Sequence, residues 1–339
     1  GIKIIWRKFM KKILNHPDDF VNESIQGLVL SYPDIYKFSS ETNKVLMRSN
    51  TSSNKVGLVS GGGSGHLPLF TGYIGKGLLD SCAIGNVFAS PSVDEISTAI
   101  KAANSGKGVL CIYGNYGGDV MNFDMASEML EMEDIKVESI VVADDVASAS
   151  YEEKEKRRGV TGMLYVFKIT GAMAETGADF DEVKRVALKT NENIRTMGIA
   201  LTPTILPQAG KPTFEIGDDE MEIGMGIHGE PGIRRGKLKS ADEITEELSE
   251  KILGDINLSN GDKVSILVNS LGATPHEELF IVANKFNNIL NDKGIINSKS
   301  YVGRYATSME MAGMSISILK LDDELEKLLL EDANCPFWY

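Results

Sequence analysis

The segment IGMGIHGEPG, residues 223–232, sets one of the chain's four histidines among four glycines. Glycine lets the backbone approach a ligand closely, so a side chain placed there faces something small. A neutral imidazole at His228 has two chemical uses. It can ligate a metal, but only three other histidines exist and no His-Glu-x-x-His pattern occurs. It can also add through nitrogen to a carbonyl carbon. The plain alternative is a histidine hydrogen-bonded within a turn; the glycines favour function. The second candidate closes KVGLVSGGGSGH, where an apolar run leads into Gly63, Ser64, Gly65 and His66. Consecutive amides there could cradle an anion or a hydroxyl. A tight strand-to-helix turn is the competing reading, but a turn does not need a histidine. The third is GNYGGD, which ends on Asp119. Such a carboxylate can take a proton from an alcohol. It can equally cap the following helix, which the sequence slightly favours, and the two roles are compatible.

Two nucleotide motifs are excluded. No Gly-Lys-Ser/Thr tripeptide occurs, so there is no Walker A loop. Gly224, Gly226 and Gly229 match Gly-x-Gly-x-x-Gly, but Glu230-Pro231-Gly232 follow where a dinucleotide site opens a helix. His276, behind Pro275, reads as a structural residue in the first turn of a helix. His16, before Pro17, reads as exposed.

The elements that must position these residues alternate. A helix is expected over residues 19–33, then a strand at 56–59 running into the first glycine loop. GVLCIYGNYGGD repeats that plan, and MNFDMASEMLEME follows as a helix capped by Asn122 or a neighbour. IKVESIVVADDV is a third strand ending in acids. Two helical stretches lie within residues 159–201. KVSILVNSLGATPHEELF reads as strand, loop and helix, and two strand-like runs and a final helix complete the chain. The fold class is therefore α/β, with two domains, each a β-sheet flanked by helices. Residues 10–190 carry the glycine-loop pocket and residues 191–339 carry His228. In such sheets ligands sit beyond the carboxyl ends of the strands, where these loops lie.

Composition narrows the partners. The net charge is −13 with pI near 4.9, which argues against nucleic acid, since phosphate neutralisation needs clustered Lys and Arg. Cys82, Cys111 and Cys335 form no Cys-x-x-Cys pair, consistent with a reducing cytoplasm and no metal site. No apolar run reaches membrane-spanning length. The opening GIKIIWRKFM lacks a signal peptide's apolar core and cleavage site. Met10 reads as a start, with residues 1–9 as added or upstream sequence.

Eight blocks in order carry a resemblance: SGGGSGH, FASPSVDEI, NYGGDVMNF, DDVA with RRGV, AGKPTFE, EIGMGIHGEPG, NSLGATP and ATSMEMAGMSISILKLDDE. Together the chain resembles the K subunit of dihydroxyacetone kinase, the DhaK family, from about Met10 to its last residues. The resemblance implies a two-domain α/β homodimer that holds dihydroxyacetone through a covalent hemiaminal to the histidine matching His228. It implies that Gly63, Ser64, Gly65 and His66 bind substrate hydroxyls, and that His66 and Asp119 handle the hydroxyl proton during phosphoryl transfer. Nucleotide and magnesium belong to a separate L subunit in that family, so this chain is expected to carry no cofactor of its own.

Three departures stand out. Leu67 replaces the family's usual glutamate after the first loop. Gly114 stands where the family usually has a substrate-contacting lysine. EEKEK precedes Arg157-Arg158, where the family tends to a less charged loop. With the capture histidine kept and a positive donor lost, the chain is similar to the DhaQ-type paralogue. That relative binds dihydroxyacetone and acts as a coactivator docked on a TetR-type transcription activator of the kinase operon. The other expectation is an active K subunit that receives phosphoryl from a nucleotide-bearing L subunit.

Overall fold

Short apolar runs alternating with amphipathic ones build two six-stranded sheets. The computed structural model describes residues 10–50 and 54–339, so residues 1–9, read above as preceding the start, lie outside the described residues. The first sheet holds β1 (Tyr36–Phe38), β2 (Val45–Arg48), β3 (Gly57–Ser64), β4 (Ser81–Val87), β5 (Val109–Gly114) and β6 (Val137–Val142). Their order is β1-β2-β4-β3-β5-β6. From β4 to β6 the neighbours are parallel, and β1 and β2 add an antiparallel edge. Fully buried runs such as Val109–Gly114 suit a sheet covered on both faces. One face is covered by α2 (Val93–Ala103), started by a Ser92/Glu95 capping box, and α3 (Gly117–Glu131). The other packs on α1 (Phe20–Ser31), α4 (Met163–Glu175) and α5 (Phe180–Glu192).

The second sheet comprises β7 (Ile194–Thr202), β8 (Glu220–Ile223), β9 (Arg234–Lys237), β10 (Lys263–Ser270), β11 (Ile296–Gly303) and β12 (Ala312–Leu321). Its order is β11-β10-β12-β7-β8-β9, and only β10 and β11 pair in parallel. Helices α6 (Ala241–Gly254) and α7 (His276–Asp292) bury one face of it. On the other side α4 packs against both sheets. It is buried almost all round, as a helix between two layers must be. Its apolar cluster takes in Leu267 and Leu319, and the Tyr165 hydroxyl lies 2.9 Å from Ser265 Oγ on β10. The last helix, α8 (Asp323–Leu330), returns to α4: Lys168 Nζ donates to the Leu328 carbonyl at 2.8 Å. Among the described residues no helix is long and apolar enough to cross a membrane.

Two expectations are corrected. The first glycine loop is largely strand, because β3 runs on to Ser64. Its glycines are needed for close approach. A Cβ at Gly62 would lie 2.3 Å from the Phe70 ring, and one at Gly63 2.7 Å from the Ala89 amide. Helix α3 begins at Gly117 with Tyr116 as its N-cap, so Asn122 lies inside the helix, where Nδ2 donates to the Pro91 carbonyl at 2.8 Å. His276 does open α7. His16 is only partly exposed and accepts the Asp18 amide.

A candidate ligand site with two facing histidines

Four segments converge on one spot. The end of β3 brings His66, and the turn after β4 brings Phe88. The start of α3 brings Tyr116 and Asp119, and the turn after β8 brings His228. The ring centroids of His66 and His228 lie 4.8 Å apart at 81°. Phe88 stacks on His66 at 4.8 Å and 9°, and meets His228 edge-on at 5.3 Å. Tyr116 meets His228 edge-on at 4.8 Å. Phe88 has φ 56°, an unfavourable conformation for an aromatic residue. The surrounding structure therefore holds this ring against His66 at a cost of about 1–3 kcal/mol.

The two imidazoles are held in complementary ways. His66 is 1% exposed, and its Nδ1 lies 2.7 Å from the Thr307 carbonyl. A carbonyl only accepts, so Nδ1 carries the proton and Nε2 the lone pair. Nε2 is buried with no partner among the described residues. Burial, helped by the charge of His228, pushes the His66 pKa down to about 3, so the ring is neutral at pH 7. An unfilled buried acceptor is unusual in a folded protein and suits a ligand hydroxyl. His228 Nδ1 lies 2.8 Å from Glu230 Oε1, and the His228 amide donates to Oε2 at 3.0 Å. In the neutral ring Nδ1–H is thus the donor, and the lone pair sits on Nε2. Burial alone would raise the Glu230 carboxyl. The hydrogen bond and charge of His228, with Arg158 at 3.9 Å, outweigh it and leave the carboxyl at about 2.

Asp119 is the third group. It is buried, and its Oδ1 has no partner among the described residues. Burial raises its pKa, against the opposing pull of the Ser90 hydroxyl and of His228. It sits in the first turn of α3 but makes no capping bond, so the capping role weighed from sequence does not apply. Ser64 donates its hydroxyl to the Gly85 carbonyl at 2.7 Å, and the Ser64 and Gly65 carbonyls accept the Phe88 and Met309 amides, each at 3.0 Å. Gly63, Ser64 and Gly65 also line a cavity of about 440 Å³ on the reverse of the strand, which none of His66, Asp119 and His228 lines.

The departures have local explanations. A Cβ at Gly114 would sit 3.0 Å from Met163 Cε and from Tyr116 Cε2, and 3.2 Å from the Gly159 carbonyl. A side chain there would press on Met163, Tyr116 and the Gly159 carbonyl, which would have to give by a few tenths of an ångström. Leu67 lines the reverse cavity. Of the arginine pair, Arg157 is structural: it is 2% exposed and forks onto Asp255 at 2.6 and 2.7 Å. Arg158 reaches the site, held by Asp145 and the Gly224 carbonyl, each at 3.1 Å. Among the described residues no group of three His, Cys, Asp or Glu side chains is placed to hold a metal.

Sequence reasoning missed Glu230, Phe88, Tyr116 and Thr307. Glu230 carried a usable signal, a carboxylate two residues beyond His228 in a glycine-lined turn. Thr307 carried none, because it reaches His66 across 241 positions of chain.

The chain is similar to known proteins over nearly its whole length. The Dak1 domain matches residues 26–337. The chain is 48% identical over 315 residues to the dihydroxyacetone-binding subunit DhaK of PTS-dependent dihydroxyacetone kinase 1 of Listeria innocua, covering 93% of this chain and 95% of that one. Among solved structures, the dihydroxyacetone kinase operon co-activator Dha-DhaQ superposes with TM-score 0.86 at 34% identity, covering 92% of this chain and 96% of that one. The dihydroxyacetone kinase of C. freundii superposes with TM-score 0.88 at 30% identity, covering 97% of this chain and 60% of that one. A match over nearly the whole length, carried by the same two-sheet architecture, settles the ancestry: this chain belongs to the Dak1-domain family of DhaK subunits.

Proposed function

We propose that the chain captures dihydroxyacetone covalently at His228 and serves as a sensor, the coactivator of a TetR-type transcription activator of the dihydroxyacetone kinase operon. The observation that carries the capture is the His228–Glu230 pair at 2.8 Å, which fixes Nδ1 as donor and aims a lone pair from Nε2. That lone pair forms the C–N bond to the ketone carbon, and the carbonyl π pair moves onto oxygen. The oxygen takes up one proton while Nδ1 gives one up towards Glu230, so the hemiaminal is a net addition with nothing released. The Nε2 of His66 and the carboxyl of Asp119 meet the flanking hydroxyls. Glycerol offers similar hydroxyls but no carbonyl, and is rejected at the covalent step.

Sensing is favoured over transfer by the missing cation. Gly114 replaces the family's lysine, and Arg158 is already engaged by Asp145 and Glu230. The second reading is an active K subunit. It is supported by the retained neutral acceptor at His66, the buried Asp119 and the similarity to a kinase subunit of Listeria innocua. In both readings the protein works as a homodimer, as the resemblance implies, in the reducing cytoplasm that its cysteine usage fits.

The test mixes the protein with dihydroxyacetone and a nucleotide-loaded L subunit, beside a competent K subunit as control. Intact mass on the same sample reports the adduct. Adduct without turnover is the expected result. Turnover comparable to the control makes the chain a kinase subunit, and absence of any adduct overturns covalent capture in both readings.

A further inference from the structure

We propose that the cavity behind β3 is a second ligand site, for a small aliphatic molecule with an anionic head. Its volume of about 440 Å³ is in the range of small-molecule pockets. The backbone of Gly62–Gly65 forms one wall, and the histidines lie outside the cavity. Hydrocarbon forms much of the rest: Ile25 and Leu28 from α1, with Leu67, Phe70 and Met309. Such a lining favours an aliphatic chain over water.

Two charged side chains line the cavity, and only one is engaged by an opposite charge. Glu310 is bound by Lys12 at 2.6 Å, by Thr204 Oγ1 at 2.6 Å and by the Ile205 amide at 2.9 Å. These partners outweigh its burial and hold the carboxyl below its ordinary range. Arg304, just beyond β11, donates from Nη2 to the Met309 carbonyl at 3.3 Å and pairs with no carboxylate among the described residues. A planar guanidinium at the edge of a hydrocarbon pocket is suited to a carboxylate or to a sulfate- or phosphate-type head. The chain's charge of −13 repels anions in general, so an anion that binds here needs this specific contact. The cavity shares Gly63, Ser64, Gly65 and Thr307 with the surroundings of the ketone site, but none of His66, Asp119 and His228 lines it.

Calorimetric titration of the full chain with decanoate, decyl sulfate and decanol, all below micellar concentration, tests the proposal. One molecule of each anion is expected to bind per chain, with decanol about tenfold weaker or worse. Decanoate tighter than decyl sulfate assigns a carboxylate head; the reverse assigns a sulfate- or phosphate-type head. Arg304→Gln is expected to bring the anions down to the level of decanol. Ser24→Trp, which fills the cavity from an exposed position on α1, is expected to weaken all three. Ala273→Trp, on the opposite wall, replaces it if that variant does not fold. Uptake that never saturates, or saturable binding unchanged in the variants, overturns the site. Equal affinity for decanol and decanoate overturns the anionic head.

Discussion

The strings SGGGSGH and IGMGIHG look alike, yet the two regions use glycine for different physical reasons. Along β3 the glycines have ordinary strand dihedrals as far as Ser64, and they are small because Phe70, Ala83 and Ala89 press against them. After β8 the glycines bend the chain: Gly224 and Gly229 have φ of +80° and +82°. The histidines differ in the same sense. His66 is sealed in and kept neutral by burial, with its proton directed to a backbone carbonyl. His228, with its side chain 23% exposed, is aimed by an ionised carboxylate. In the proposed capture, one region supplies a rigid acceptor and the other an accessible nucleophile.

That contrast can be broken at four points. The largest effect is expected from His228→Ala, which should abolish the dihydroxyacetone adduct in intact-mass spectra. His66→Gln should weaken adduct formation without abolishing it. An adduct that survives at full strength in His228→Ala places the nucleophile elsewhere. Next, Gly62→Ala should destabilise the fold by about 1–3 kcal/mol through overpacking against Phe70. Gly229→Ala should cost about 1–2 kcal/mol through its left-handed backbone. In urea titrations, a Gly62→Ala midpoint equal to wild type would remove the packing argument.

A pH series sharpens the comparison further. Because the folded His66 pKa is depressed to about 3, the unfolded chain takes up the proton first as pH falls below about 6.5. The stabilising contribution is complete above that pH and is lost as pH drops towards 3. Wild type should therefore lose up to about 1.4 kcal/mol per pH unit relative to His66→Gln over that window. Parallel stability curves for the two proteins would contradict the buried neutral ring. The smallest expected effect is an absence of separation. We propose a domain boundary near residue 190, but α4 shares one apolar cluster with residues of both sheets. Circular dichroism and tryptophan fluorescence should therefore report one coincident unfolding transition. Two resolved transitions would show that the sheets fold independently.

Local signals made part of this structure legible. The apolar runs of β5, β6 and β10 and the Pro275 turn before α7 mark their own elements. The strand β7 was harder to see, because IRTMGIALT directly follows α5 and runs on from a helical pattern. The antiparallel pairing of β7, β8, β9 and β12 depends on contacts between distant segments, which no short window contains. At the site, the sequence offers polar residues flanked by glycine, and the fold does bring His66, Asp119 and His228 together. It cannot offer the aromatic walls. Phe88 matters through a backbone conformation that its residue type disfavours, and Tyr116 through an N-cap position that the sequence assigns to later residues.

The contacts around His66 join the two sheets. Its Nδ1 donates to Thr307, the Thr307 amide returns to the His66 carbonyl at 3.3 Å, and the Met309 amide reaches the Gly65 carbonyl at 3.0 Å. The two imidazoles therefore belong to opposite halves of the molecule that meet along this seam. A guest lodged between them acts as a keystone. Its binding free energy reappears as resistance to prising the halves apart, so occupancy can be felt on surfaces the guest never touches.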